Sequence, residues 1–135
     1  MYTVVAAIDT DVDRATAIAD EIIAQPGTDV QVVLVHSFGE NPEGASIGQI
    51  GAVRRARSRL EEHGIDVTYE ERSGDPADRI LQVAEERDAD VIAISGRKRS
   101  PTGKAVFGSV TQDVILGADR PVLVCSDANR GANDE

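Results

Sequence analysis

Four apolar runs, at residues 4–8, 32–35, 91–94 and 122–125, are rich in β-branched residues and carry no polar alternation. A strand with one wet face alternates apolar and polar positions, so these runs read as strands covered on both faces, as in a parallel sheet. Between them the period changes. Ala15, Ile18, Ala19, Ile22 and Ile23 fall on one helical face, and so do Ala77, Ile80, Leu81 and Ala84. A further helix is predicted over 46–63, stopped by Gly64, and a strand over 65–70 in which Val67 and Tyr69 alternate with Asp66, Thr68 and Glu70. That alternation suits an edge strand. With this strand, third in chain order, at an edge, the expected fold is α/β: a single open five-stranded parallel sheet in the Rossmann-like order 3-2-1-4-5, with helices on both faces. The first and fourth strands are then neighbours. Their loops, at Asp9 and Gly96, open side by side where ligands bind in such sheets.

Helix starts are marked by side chains that can accept the free amides of a first turn. Asp75 followed by Pro76 predicts an N-cap with proline at the first helical position. Thr10 with Asp13, and Ser109 with Gln112, have capping-box spacing. The glycine-rich stretch 38–51 reads as a loop, and no internal repeat is found. The expected organisation is one α/β domain over 1–126 and a polar C-terminal tail over 127–135.

A chain of 135 residues, 41% apolar, can build one core without staples. Cys125 is the sole cysteine, and no apolar run reaches membrane-spanning length. The expectation is a soluble, cytoplasmic protein without a membrane partner. Acidic residues outnumber basic ones 24 to 14, giving a net charge of −10, and Lys98 and Lys104 are the two lysines. So acidic a surface repels itself at low salt and suits a medium that screens charge over a few ångströms, which points to a halophilic protein. Nucleic acid is excluded as a partner by the same repulsion, and two Phe and two Tyr are too few for a base-stacking surface. One segment reverses the charge. Residues 95–110 carry Arg97, Lys98, Arg99 and Lys104 with no acid, a formal +4. Glycines 96, 103 and 108 let backbone amides turn toward a ligand, and the segment runs into a helix start. The combination describes an anion site suited to phosphate.

Other motifs have simpler readings. A P-loop ending at Gly103-Lys104 fails, because it needs glycine at Lys98 and Ser or Thr at Ala105. Asp9, Asp11 and Asp13 alternate like a calcium loop, but Arg14 stands where that loop needs glycine. Asp11 and Asp13 suit helix capping, whereas Asp9 ends a buried strand and needs a partner: ribose hydroxyls, magnesium or Arg97. Ser109 reads as a helix cap rather than a nucleophile. His36 reads as a strand-end residue, His63 as a helix C-terminal one, Cys125 as an inert core thiol, and Arg54, Arg55, Arg57 and Arg59 as a solvated helix face.

The order of elements, the opening Val4-Val-Ala-Ala-Ile-Asp9, Val33-Leu-Val-His36, Gly74-Asp-Pro76, Ala89-Asp-Val-Ile-Ala-Ile-Ser-Gly96, Gly108-Ser109 and Arg120-Pro-Val-Leu-Val124 together resemble the universal stress protein family along nearly the whole chain. The nucleotide-binding branch of that family wraps ATP phosphates with Gly, two residues, Gly, nine residues, then Gly-Ser or Gly-Thr. Gly96, Gly108 and Ser109 match its ends. Arg99 stands at the second glycine, and the interval from Gly96 to Gly108 is one residue short. The resemblance implies that Asp9 holds the ribose and that the backbone of Ser37 meets the adenine. It further implies that Gly96, Gly108, Ser109 and the Val110 amide line the phosphates. Arg97 and Arg99 are candidate phosphate ligands from the charge of the loop, and Arg99, departing from the family pattern, either supplies a guanidinium or clashes. The resemblance also implies a homodimer through the last strand, whose short apolar edge needs covering. The function expected is a regulatory module binding ATP, with or without magnesium, and hydrolysing it slowly or not at all, rather than an enzyme. The alternative is a dimeric stress or signalling interaction protein that has lost the nucleotide. An enzyme of the wider adenine nucleotide α-hydrolase group would need a substrate domain or catalytic pair for which this chain has no room.

Overall fold

The computed structural model describes residues 1–25, 27, 29–39, 44–99 and 105–125, with only the backbone described at 97–99, 105 and 106. Its centre is a five-stranded sheet of β1 (Tyr2–Ala7), β2 (Val30–Phe38), β3 (Asp66–Ser73), β4 (Val91–Ser95) and β7 (Val122–Cys125). The spatial order is β3-β2-β1-β4-β7, and each neighbouring pair is parallel. This is the 3-2-1-4-5 arrangement read from the apolar runs. β1 shows why those runs lack alternation. Val4 and Ala6 point into a core formed with α1 (Val12–Ala24) and α2 (Gly51–Glu62), while Val5 and Ala7 point into one formed with α3 (Pro76–Glu86) and α4 (Ser109–Gly117). Both faces are dry, so both parities are apolar.

β3 lies at the edge, as its alternation requires, but it runs to Ser73 rather than stopping near Glu70. Its last residues stay in register with β2 as far as Ser73 opposite Phe38. Charge makes this extension tolerable. Glu70 accepts from Arg72 Nη1 at 2.7 Å and from Arg87 Nε at 2.8 Å, and Arg72 Nη2 reaches Glu86 at 2.8 Å, so the polar strand end is tied to α3.

The helix expected over 46–63 is divided. A 3-10 turn, Ile47–Gln49, comes first, Ile50 is extended, and α2 begins at Gly51. Side chains hold the turn apart from the helix: Gln49 Oε1 accepts from the Ser46 amide at 2.8 Å, and Glu71 Oε1 accepts from the Ile47 amide at 2.8 Å. Two caps also shift. Asp11 rather than Thr10 caps α1, accepting from the Arg14 amide at 3.0 Å, and Gly108 rather than Ser109 occupies the N-cap of α4. Gln112 donates to the Phe107 carbonyl at 3.2 Å instead of closing a box with Ser109. Asp75 and Pro76 start α3 as predicted, and the Asp75 carboxylate accepts from the Asp78 amide at 3.1 Å. The arginines of α2 are more than a solvated face. Arg57 lies over the Tyr69 ring, 5.1 Å from its centroid, and Arg59 bonds Asp20 at 2.7 Å, joining α2 to β3 and α1.

Candidate functional site

β1 and β4 are neighbours, yet their chains leave for opposite faces: β1 feeds α1 on one side, and β4 leads to α4 on the other. Strand ends that diverge in this way leave a crevice. It holds a cavity of about 540 Å³, within the range of small-molecule sites. Val35, Ile80, Ile94 and Phe107 make it apolar, and Asp9, Thr10, Arg14, Ser37 and Ser95 add polar groups. Gly108, Ser109 and Val110 bring the start of α4 to the same cavity.

Gly96 is required by its surroundings. Its φ is +127°, and a Cβ there would stand 2.3 Å from Thr111 Oγ1. Thr111 uses that oxygen to donate to the Ser95 carbonyl at 2.5 Å, so the threonine of α4 is pinned to the end of β4 at the point where the glycine turns the chain. Gly108 is different. Its φ of −69° suits any residue, and a Cβ would meet nothing within 4 Å. Its effect is an N-cap without a side chain. The starts of α1 and α3 are filled by the Asp11 and Asp75 carboxylates, whereas no side chain caps α4. The positive end of α4 therefore faces the cavity with first-turn amides at Ser109 and Val110 that no capping side chain fills.

Asp9 is half-exposed at the rim. Its Oδ1 accepts from the Asp11 amide at 2.8 Å, and its Oδ2 accepts from Arg14 Nη1 at 3.1 Å. Arg14 is thus its cationic partner among the described side chains, and the side chain of Arg97, the partner expected from the sequence, lies outside them. Ser37 donates from Oγ to the Gly74 carbonyl at 3.1 Å, tying the end of β2 to the turn before α3. His36 is buried, with Nδ1 2.8 Å from the Ile8 carbonyl and its ring edge-on to Phe38, and it joins the ends of β1 and β2.

The basic segment is not an open glycine loop throughout. Arg97–Arg99 (β5) and Ala105–Phe107 (β6) form an antiparallel ribbon, with Arg97 opposite Phe107 and Arg99 opposite Ala105. The register sets Arg97 beside a residue that lines the cavity and Arg99 two residues further out. Lys104 and the tail expected over 127–135 lie outside the described residues. Of the sites read from the sequence, Asp9, Ser37, Gly96, Gly108, Ser109 and Val110 come together around one cavity. Thr111, Arg14, Ile80 and Phe107 were missed. Thr111 and Ile80 look like ordinary helix positions, and Arg14 like a charge on a helix surface.

Cys125 closes β7, opposite Ser95, and burial pushes its thiol up to about 12, with Glu21 adding to the effect. That is an inert thiol, as expected. Among the described residues no three His, Cys, Asp or Glu side chains gather as a metal site, and no helix is long and apolar enough to cross a membrane.

A model of the universal stress protein family matches residues 1–126. The chain belongs to that family. A universal stress protein of Mycolicibacterium smegmatis is 28% identical over 93 residues, which are 68% of this chain and 72% of the relative. A universal stress protein structure from Archaeoglobus fulgidus, 34% identical, superposes with a TM-score of 0.71 over 93% of this chain and 98% of the other. Another universal stress protein structure from that organism, solved in complex with dAMP, is 27% identical with a TM-score of 0.66 over 93% of this chain and 98% of the other.

Proposed function

We propose that this universal stress protein is a regulatory module that holds an adenine nucleotide, ATP in its resting complex, at the crevice between β1 and β4. The observation that carries the proposal is the single cavity on which the Asp9 carboxylate, the apolar walls and the open start of α4 converge. A nucleotide needs those three environments in that combination: an acceptor for ribose hydroxyls, an apolar slot for the base and backbone donors for phosphate. The dAMP complex of the Archaeoglobus relative supports the same ligand class. In this reading Asp9 takes the ribose, the Ser37 backbone the adenine, and Gly96, Gly108, Ser109 and Val110 the phosphates, with Arg97 and Arg99 screening the phosphate charge. A magnesium ion, where it accompanies ATP, is held by the phosphates. Hydrolysis is slow or absent in this reading, which the described residues support: among them Ser109 has no base bonded to it and the rim groups Asp9 and Arg14 are engaged with each other. The protein acts as a homodimer in a salt-rich cytoplasm, where screening relieves its net charge of −10.

Thermal unfolding in molar KCl, with and without magnesium ATP, tests the reading, with sulfate and Asp9→Ala as controls. Ligand at about a hundred times its dissociation constant adds roughly 2.7 kcal/mol, a rise of several degrees for a domain of this size. The expected result is a rise with ATP that sulfate does not reproduce and Asp9→Ala loses. No rise at millimolar ATP would overturn the nucleotide reading in favour of a protein-binding module, with Arg99 closing the phosphate site.

A further inference from the structure

Arg14 is out of place as a stabilising residue. It is the third residue of α1, within the first turn, where the positive end of the helix dipole disfavours a cation. Its ion pair with Asp9 gives little in return, since the Asp9 side chain is 50% exposed. Yet the guanidinium is held beside that carboxylate, and Arg14 lines the cavity with it. The two groups are complementary in hydrogen bonding. Asp9 keeps acceptor positions beyond its bonds to the Asp11 amide and to Arg14, and Arg14 has five N–H donors of which Asp9 takes one.

An acceptor and a donor fixed about 3 Å apart match a vicinal diol, in which one hydroxyl can give its proton to the carboxylate while its neighbour accepts from the guanidinium. We propose that Arg14 is a specificity-determining residue which, with Asp9, clamps both hydroxyls of a ribose and makes the site prefer ribonucleotides over deoxyribonucleotides. The inference rests on the nucleotide reading above. A sugar lacking either hydroxyl leaves one half of the clamp facing a C–H group, and that half loses its bond to the ligand, a modest penalty at a half-exposed rim.

The test is isothermal titration of the full chain in molar KCl with ATP, 2′-deoxy-ATP, 3′-deoxy-ATP and AMP, repeated on Arg14→Met, which keeps the apolar stem and removes the donors. In the parent protein each missing hydroxyl should weaken binding about five- to tenfold. In Arg14→Met one of those two penalties should fall to within twofold of unity, the other should persist through Asp9, and the ratio of ATP to AMP affinity should not change. A thermal midpoint within a few degrees of the parent establishes that the variant is folded. Equal binding of ribo and deoxy forms by the parent, or both penalties surviving in Arg14→Met, would overturn the proposal while leaving the nucleotide reading intact. A fall in the ATP to AMP ratio with both penalties retained would make Arg14 a phosphate ligand and also overturn it. No binding of any nucleotide would remove both readings.

Discussion

At the scale of single residues, the contact that shapes the crevice joins Gly96 and Thr111. The glycine was visible in the sequence as a turn residue following an apolar run, but its partner was not, because a threonine 15 positions later in a helix carries no local mark of what it touches. The pair makes a sharp prediction. Gly96→Ala places a methyl against Thr111 Oγ1 and forces an L-residue to a φ of +127°, and should cost more than about 2 kcal/mol. Thr111→Ser, which keeps the donor to the Ser95 carbonyl and removes a methyl, should cost about 1 kcal/mol. Urea unfolding of both variants measures the order. A Gly96→Ala protein as stable as the parent would mean that α4 yields freely at this point.

At the scale of elements, the sheet strands were legible because burial on both faces leaves a continuous apolar run, and β3 was legible because an edge does not. The β5 and β6 ribbon was hidden: three residues on each side are too short for a period to emerge, and the basic residues of 97–99 read as loop. The break between the 3-10 turn and α2 was hidden too, since it depends on Glu71 reaching from another strand. β3 itself depends on charge. Burial alone would raise the Glu70 carboxyl, but the guanidiniums of Arg87 and Arg72 outweigh it and hold the group below the usual carboxylate range. A carboxyl depressed in the folded state stabilises above its unfolded pKa, and that stability is lost as pH falls through the folded value. Glu70→Gln should therefore cost about 1–2 kcal/mol at pH 7, a figure between those for exposed and buried pairs. The difference from the parent should shrink as the pH is lowered below about 4. Denaturant midpoints of the two proteins across pH 3–7 check it, and a constant difference would assign the loss to packing.

At the scale of the whole molecule, β7 ends the sheet, with a neighbouring strand on one side among the described residues. Val122, Leu123 and Val124 are half-buried there, and Leu116 of α4 is 83% exposed. An apolar edge of this kind invites pairing with a second copy. Light scattering in molar KCl should give a dimer mass, and Val124→Lys, which sets a charge on that edge, should give a monomer. A parent protein that is already monomeric would rule out the homodimer. The sheet also separates two apolar compartments that share no side chains, one under α1 and α2 and the other under α3 and α4. The cavity draws most of its apolar wall from the second, through Val35, Ile80 and Ile94, with Ile8 from the first. Of the residues of α4 only Thr111 and Val114 are fully buried, so this helix is the lightest-held part of its compartment. The ligand end therefore borders mainly one half of the interior, and the sheet stands between it and most of the other. Amides of α4 should accordingly exchange with deuterium faster than those of α1 and α2 in the absence of ligand, and equal protection of the three helices would show that the two halves are held alike.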